Sequence, residues 1–97
     1  MKTIKDLEII LDGIISVLSV AGENNWNTAM KDFRNRCDSV SDPFDQKNLI
    51  SDLLRIYGGM GSFSDLILYN QGNLLQKENS QLDTLRRELF ETANGLR

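Results

Sequence analysis

The residues that could do chemistry in this chain are few. They are Cys37, the aspartates between 38 and 52, the glycines at 58–61 and a scatter of glutamates near the C-terminus. The chain has no histidine, which removes the commonest general base and the commonest transition-metal ligand together. Cys37 is the only cysteine, so neither an internal disulfide nor a cysteine-rich zinc site can form. Asp38, Asp42 and Asp45 lack the alternating oxygens, the glycine and the terminal glutamate of a calcium loop. Glu88 and Glu91 lie on one charged helical face rather than opposed across a cleft, which does not suit glycosidase-like acid/base work. The expectation is a non-enzymatic protein with no catalytic residues, no cofactor and no metal.

Binding is the remaining chemistry. Gly58-Gly59-Met60-Gly61-Ser62 precedes a helix start, and such a turn can present backbone N–H groups to a phosphate or carboxylate. It lacks the lysine and the spacing of a phosphate-binding loop, and only Arg55 lies nearby. A tight turn bringing two helices together is the plainer reading. Tyr57 and Tyr69 flank the turn and either frame a shallow groove with it or sit in the core with hydroxyls at the surface. Trp26 is either an interface anchor or core. Asp38, Asp42, Asp45 and Asp52, against Lys47 alone, make an acidic stretch that would suit a basic partner, although caps and solvated faces also use such residues. The candidate partner-binding set is therefore Asp38, Asp42, Asp45, Asp52, Tyr57, Gly58, Gly59, Met60, Gly61, Ser62 and Tyr69.

Composition bounds the partner. The net charge is −3 over 97 residues, carried by positions 1–65, and positions 66–97 balance. There is no basic stripe of the kind that displaces phosphate counterions, so nucleic acid is not an expected partner. No apolar run approaches the roughly 20 residues that span a bilayer, and Met1–Lys5 leads directly into an amphipathic pattern without a signal-peptide core. The expected setting is the cytoplasm, with Cys37 reduced.

The elements that must position these residues read as helices within one domain over residues 1–97. Thr3 and Asp6 form a capping box. Ile4, Leu7, Leu11, Ile14, Leu18 and Ala21 then repeat at spacings of three and four, widened by Ile10 and Val17, with Gly22 as the stop. Ile9, Ile15 and Val20 lie off this face. Glu23–Asn27 reads as a loop and cap. A second helix carries Trp26, Ala29, Met30, Phe33 and Cys37 up to a break at Asp38–Asp42. Asp42 as N-cap and Pro43 at the first helical position start a third helix, with Leu49, Ile50, Leu53, Leu54 and Tyr57 on one side. Gly58, taking a left-handed conformation, would close it. Ser62 and Asp65 resemble a second capping box for a short helix holding Phe63, Leu66, Ile67 and Tyr69; as a strand this segment would be brief and partnerless. After a break at Asn70–Asn73 a long last helix spans about Leu74–Asn94. Leu75, Leu82, Leu89 and Leu96 are seven apart, and Lys77, Glu78, Asp83, Arg86, Arg87, Glu88 and Glu91 form the outer face. A local coiled coil is the alternative for that helix, weakened by Glu78 and Thr92 at the other seam positions. The fold expected is an all-α compact bundle of four to five helices, with long first and last helices covering each other and a Gly-rich turn in the middle.

The segment Ile56-Tyr57-Gly58-Gly59-Met60-Gly61-Ser62-Phe63-Ser64-Asp65-Leu66-Ile67-Leu68 resembles the Y-G-G-M-G-S-F-x-D-L-x-L signature of a family of small bacterial helical proteins of unknown function. Trp26 at a helix start, and a later helix bearing Leu82, Leu85 and Arg86, match that family in layout. The Asp38–Pro43 linker has no place in the pattern. The resemblance implies a bacterial source, an all-helical fold and a loose association with secreted toxins and their immunity partners. It implies no reaction. The leading expectation is a non-catalytic immunity protein that neutralises a cognate toxin domain. The alternative is a structural or regulatory helical module that self-associates, as a homodimer for example, through Ile9, Ile15 and Val20.

Overall fold

The computed structural model describes residues 2–97. Its helices are α1 (Ile4–Ala21), α2 (Asn24–Asp38), α3 (Pro43–Arg55) and α4 (Gln76–Gly95). Between α3 and α4 lie a single 3-10 turn (Phe63–Asp65) and two short strands, β1 (Tyr69–Asn70) and β2 (Asn73–Leu74). The fold is thus an all-α bundle of four helices carrying one minimal hairpin.

α1 starts and stops where its sequence says. The Thr3 hydroxyl accepts from the Asp6 backbone N–H, and the Asp6 carboxylate accepts from the Thr3 N–H at 2.8 Å. Gly22 ends the helix at φ 73°, a left-handed position where a Cβ would cost energy. The apolar stripe of α1 is buried at Leu7, Leu11, Ile14, Val17, Leu18 and Ala21, and packs on α2 on one side and α4 on the other. First and last helices therefore lie together, as expected. Met30 and Cys37 of α2, Leu49, Ile50 and Leu53 of α3, and Leu82, Leu89 and Ala93 of α4 complete the core.

Four sequence expectations need correction. Glu23–Asn27 is not a loop: α2 begins at Asn24, because the Glu23 carboxylate itself caps it, accepting from the Trp26 N–H at 2.7 Å. Gly58 is not the left-handed residue after α3; Gly59 (φ 87°) and Gly61 (φ 72°) are. The Ser62–Asp65 capping box does not form, since Asp65 reaches back to the Gly61 N–H (3.1 Å) and the Ser62 hydroxyl turns to Ser64 (2.7 Å). Without that cap the fifth helix shrinks to one 3-10 turn, and Leu66 is already extended at ψ 127°. The segment that follows is a strand, and it has a partner. Tyr69 pairs with Leu74 and Asn70 with Asn73 around Gln71-Gly72, both at positive φ. Positive φ at both central residues is the type I′ condition that favours a two-residue hairpin.

Candidate functional site

The glycine turn is stitched shut from within. After α3 the chain reverses through Gly59 and Gly61, and the Phe63 N–H returns to the Ile56 carbonyl at 3.0 Å. Ser64 Oγ donates to the Tyr57 carbonyl at 3.1 Å. The Gly61 N–H, a natural donor to an anion, already serves the Asp65 carboxylate. Ser62 is buried, Gly58 and Gly59 are exposed, and Met60 at the tip is fully exposed.

Tyr57 faces inward. Its hydroxyl donates to the Arg86 backbone carbonyl at 2.7 Å, and its ring meets Phe63 and Phe90 edge-on at 5.9 and 5.1 Å. Burial pushes its phenol well above the ordinary tyrosine range, partly offset by the Arg86 cation. Tyr69 stands elsewhere, exposed on β1.

Arg86 organises this region, although the charge pattern of α4 suggests an outer-face residue. Its side chain is only 12% exposed. Nη1 donates to the carbonyls of Phe63 (2.8 Å) and Leu66 (2.9 Å), Nη2 pairs with Asp83, and the guanidinium lies 5.8 Å from the Phe63 ring centroid. One planar cation thus holds the 3-10 turn onto α4. The signal is present in the sequence: Leu82, Arg86, Leu89 and Ala93 are spaced four, three and four, so Arg86 lies inside an apolar stripe. Asn79 plays a parallel part, its amide receiving the Leu68 N–H (2.8 Å) and donating to the Leu68 carbonyl (3.0 Å). The Trp26 ring meets Phe63 at a tilt, 5.2 Å between centroids, and is half-buried, which joins α2 to the same cluster.

The acidic stretch is largely engaged within the fold. Asp42 caps α3, accepting from the Asp45 N–H at 2.8 Å. Asp45 accepts from the Ser41 hydroxyl at 2.8 Å. Asp38 pairs with Arg34 at 3.0 Å, and Asp52 with Arg36 (2.9 Å) and Arg55 (3.3 Å). These aspartates belong to different local motifs rather than to one converging site. Cys37 is buried, and desolvation together with the nearby Glu8 carboxylate raises its thiol to about 11, which leaves it a poor nucleophile.

One surface these elements leave exposed and apolar is the outer face of the hairpin. Along 67–69 exposure alternates, with Ile67 and Tyr69 out and Leu68 in. Tyr69 and Leu74 are cross-strand partners, so their side chains share one face. Ile67, Tyr69 and Leu74 are each at least half exposed, and no pairing within the fold covers them.

Fold and site together define a small all-α bundle with a stapled central turn and an apolar hairpin face. The chain belongs to the family described as a domain of unknown function, DUF6966, whose model matches residues 19–76, more than half of its length. No curated protein and no solved structure matches it.

Proposed function

We propose that this protein works by binding another protein and carries out no reaction of its own, as an immunity-type inhibitor of a cognate bacterial toxin in the cytoplasm. The observation that carries the reading is the hairpin face. Ile67, Tyr69 and Leu74 remain exposed on a two-strand hairpin that Asn79 ties to α4 through Leu68, next to the 3-10 turn that Arg86 holds. An exposed tyrosine is a typical interface anchor, and the aliphatic residues beside it would help exclude water around it. The resemblance of 56–68 to the signature of a family of small bacterial helical proteins of unknown function, with its loose association with toxins and their immunity partners, suggests the toxin as the partner. The inward-turned Tyr57 and the self-satisfied aspartates move the contact from the acidic stretch to Tyr69 and Met60. Any remaining acidity would chiefly speed encounter with a basic partner.

Co-purification with the product of the adjacent gene tests this reading, using the wild type and Tyr69→Glu. Capture and growth protection by the wild type, both lost in a folded Tyr69→Glu protein, is the expected result. A wild type that neither captures nor protects sinks the proposal.

A further inference from the structure

The hairpin offers backbone as well as side chains. Leu75 N–H donates to the Leu68 carbonyl at 3.1 Å, and Asn70 pairs with Asn73 next to the turn. Hydrogen-bonded and non-hydrogen-bonded pairs alternate along an antiparallel ladder. Tyr69 and Leu74, lying between those two, are therefore a non-hydrogen-bonded pair. The Tyr69 N–H and carbonyl point away from β2, and those of Ile67, two residues earlier on extended chain, point the same way. Among the described residues no other backbone or side chain takes up these groups. Leu68, between them, is held by Leu75 and Asn79.

Proteins ordinarily guard a free strand edge with charged residues or proline. This edge has neither. Residues 66–76 hold no charge and no proline, in a chain that is 26% charged. The opposite edge offers less, because β2 ends at Leu74 and α4 begins at Gln76. Extended chain on the β1 side begins as early as Leu66. Ile67 and Tyr69 also carry exposed side chains, so backbone and apolar surface lie together along one edge.

We infer that the β1 edge takes an extended segment of the partner protein as an added strand, with apolar residues at alternate positions. The inference rests on the protein-binding reading above and specifies its mode. Main-chain bonds to Ile67 and Tyr69 hold the segment, and its alternate side chains lie beside theirs. The residues off the apolar face of α1 make no comparable patch: Ile15 packs against the core, and Ile9 and Val20 stand apart.

Amide hydrogen exchange, followed residue by residue by NMR, tests this on the free protein and on its complex with the product of the adjacent gene. In the free protein the Ile67 and Tyr69 amides should exchange fast and the Leu68 amide slowly. In the complex Ile67 and Tyr69 should both slow, while Leu74 on the other edge stays fast. Ile67→Pro removes one outward N–H. The fold should accept it, since Leu66 at φ −63° and ψ 127° already has the conformation that precedes proline. Its thermal unfolding should match that of Ile67→Ala, and its capture of the partner should be weaker by roughly three- to tenfold. A complex in which the Ile67 and Tyr69 amides stay fast, or equal capture by the two variants, overturns this inference and leaves the inhibitor reading standing. A wild type that captures nothing overturns both. Concentration-dependent protection of these amides in the free protein assigns the edge to a second copy and overturns the inference as well.

Discussion

Arg86 and Cys37 show how much depends on where a single side chain ends up. Removing the Arg86 head group leaves the Phe63 and Leu66 carbonyls without their charged donor. Hydrogen bonds to charged groups contribute roughly 1.5–3 kcal/mol each, so Arg86→Met should destabilise the protein by about 2–4 kcal/mol in urea unfolding. Arg86→Lys should restore only part of this, since an ammonium can donate to both carbonyls but offers no second nitrogen for Asp83 and no planar face for the Phe63 ring. Cys37 makes a prediction about pH. Its folded thiol lies near 11, above the ordinary value of 9, so the folded state holds the proton longer than the unfolded one. Its contribution to stability is complete below about pH 9 and is lost as the pH rises towards 11. Tyr57, also raised, adds to the alkaline loss above its ordinary value of 10. Thermal unfolding followed from pH 8 to 11 should show the midpoint falling, and Cys37→Ala should flatten the early part of that fall. An aromatic disulfide reagent at pH 8 should label Cys37 only as fast as the protein opens.

At the scale of elements, the caps and turns carry the argument. Asp42 holds the α3 N-terminus, and replacing an N-cap aspartate by alanine costs about 1 kcal/mol. Asp38 makes only an exposed pair with Arg34, for which the expected loss is near the lower end of roughly 0–1 kcal/mol. Asp42→Ala should therefore destabilise clearly more than Asp38→Ala, although the sequence puts both in the same acidic stretch. Gly59, Gly61 and Gly72 sit at positive φ with no neighbour near a would-be Cβ, so alanine there meets strain rather than a clash. Each substitution should cost about 1–2 kcal/mol, whereas Gly58→Ala, with no such φ, should cost less. Equal losses at Gly58 and Gly59 would contradict the turn geometry described here.

At the scale of the molecule, α1 packs on α2 and α4, and α3 closes the core against those two. Half of the buried apolar residues lie outside the 19–76 segment that defines the family: Leu7, Leu11, Ile14, Val17 and Leu18 before it, and Leu82, Leu89 and Ala93 after it. A fragment of residues 19–76 should consequently show little helix by circular dichroism and no cooperative melt, while the whole chain unfolds cooperatively. Arg86 and Asn79 lie outside that segment too, so the fragment lacks the clamp on the 3-10 turn and the clamp beside the hairpin.

The sequence by itself determined the helices whose signals are local. A capping box, an Asp-Pro start and a three-four apolar repeat are fixed within a few residues of chain, and α1, α3 and the long α4 appear within two residues of where those patterns place them, α3 stopping at Arg55 before Tyr57 and α4 starting at Gln76 after Leu74 joins β2. It also bounded the chemistry, through the missing histidine and the lone cysteine. Tertiary structure alone decided the segment from Gly58 to Leu75. There the local pattern fits a short helix as well as an extended chain, and the choice falls to partners far away in sequence: Arg86 for the Phe63 and Leu66 carbonyls, Asn79 for Leu68, and Trp26 for the Phe63 ring. The candidate site was legible to the same degree. Tyr69 stays exposed, while Tyr57 is drawn into a bond that only the assembled bundle can offer, as is Asp52 by Arg36; Asp38, Asp42 and Asp45 are engaged by neighbours in their own turns. The physical reason is range. Caps and periodicity act over one helical turn, whereas a side chain's exposure depends on which surfaces the whole chain brings against it.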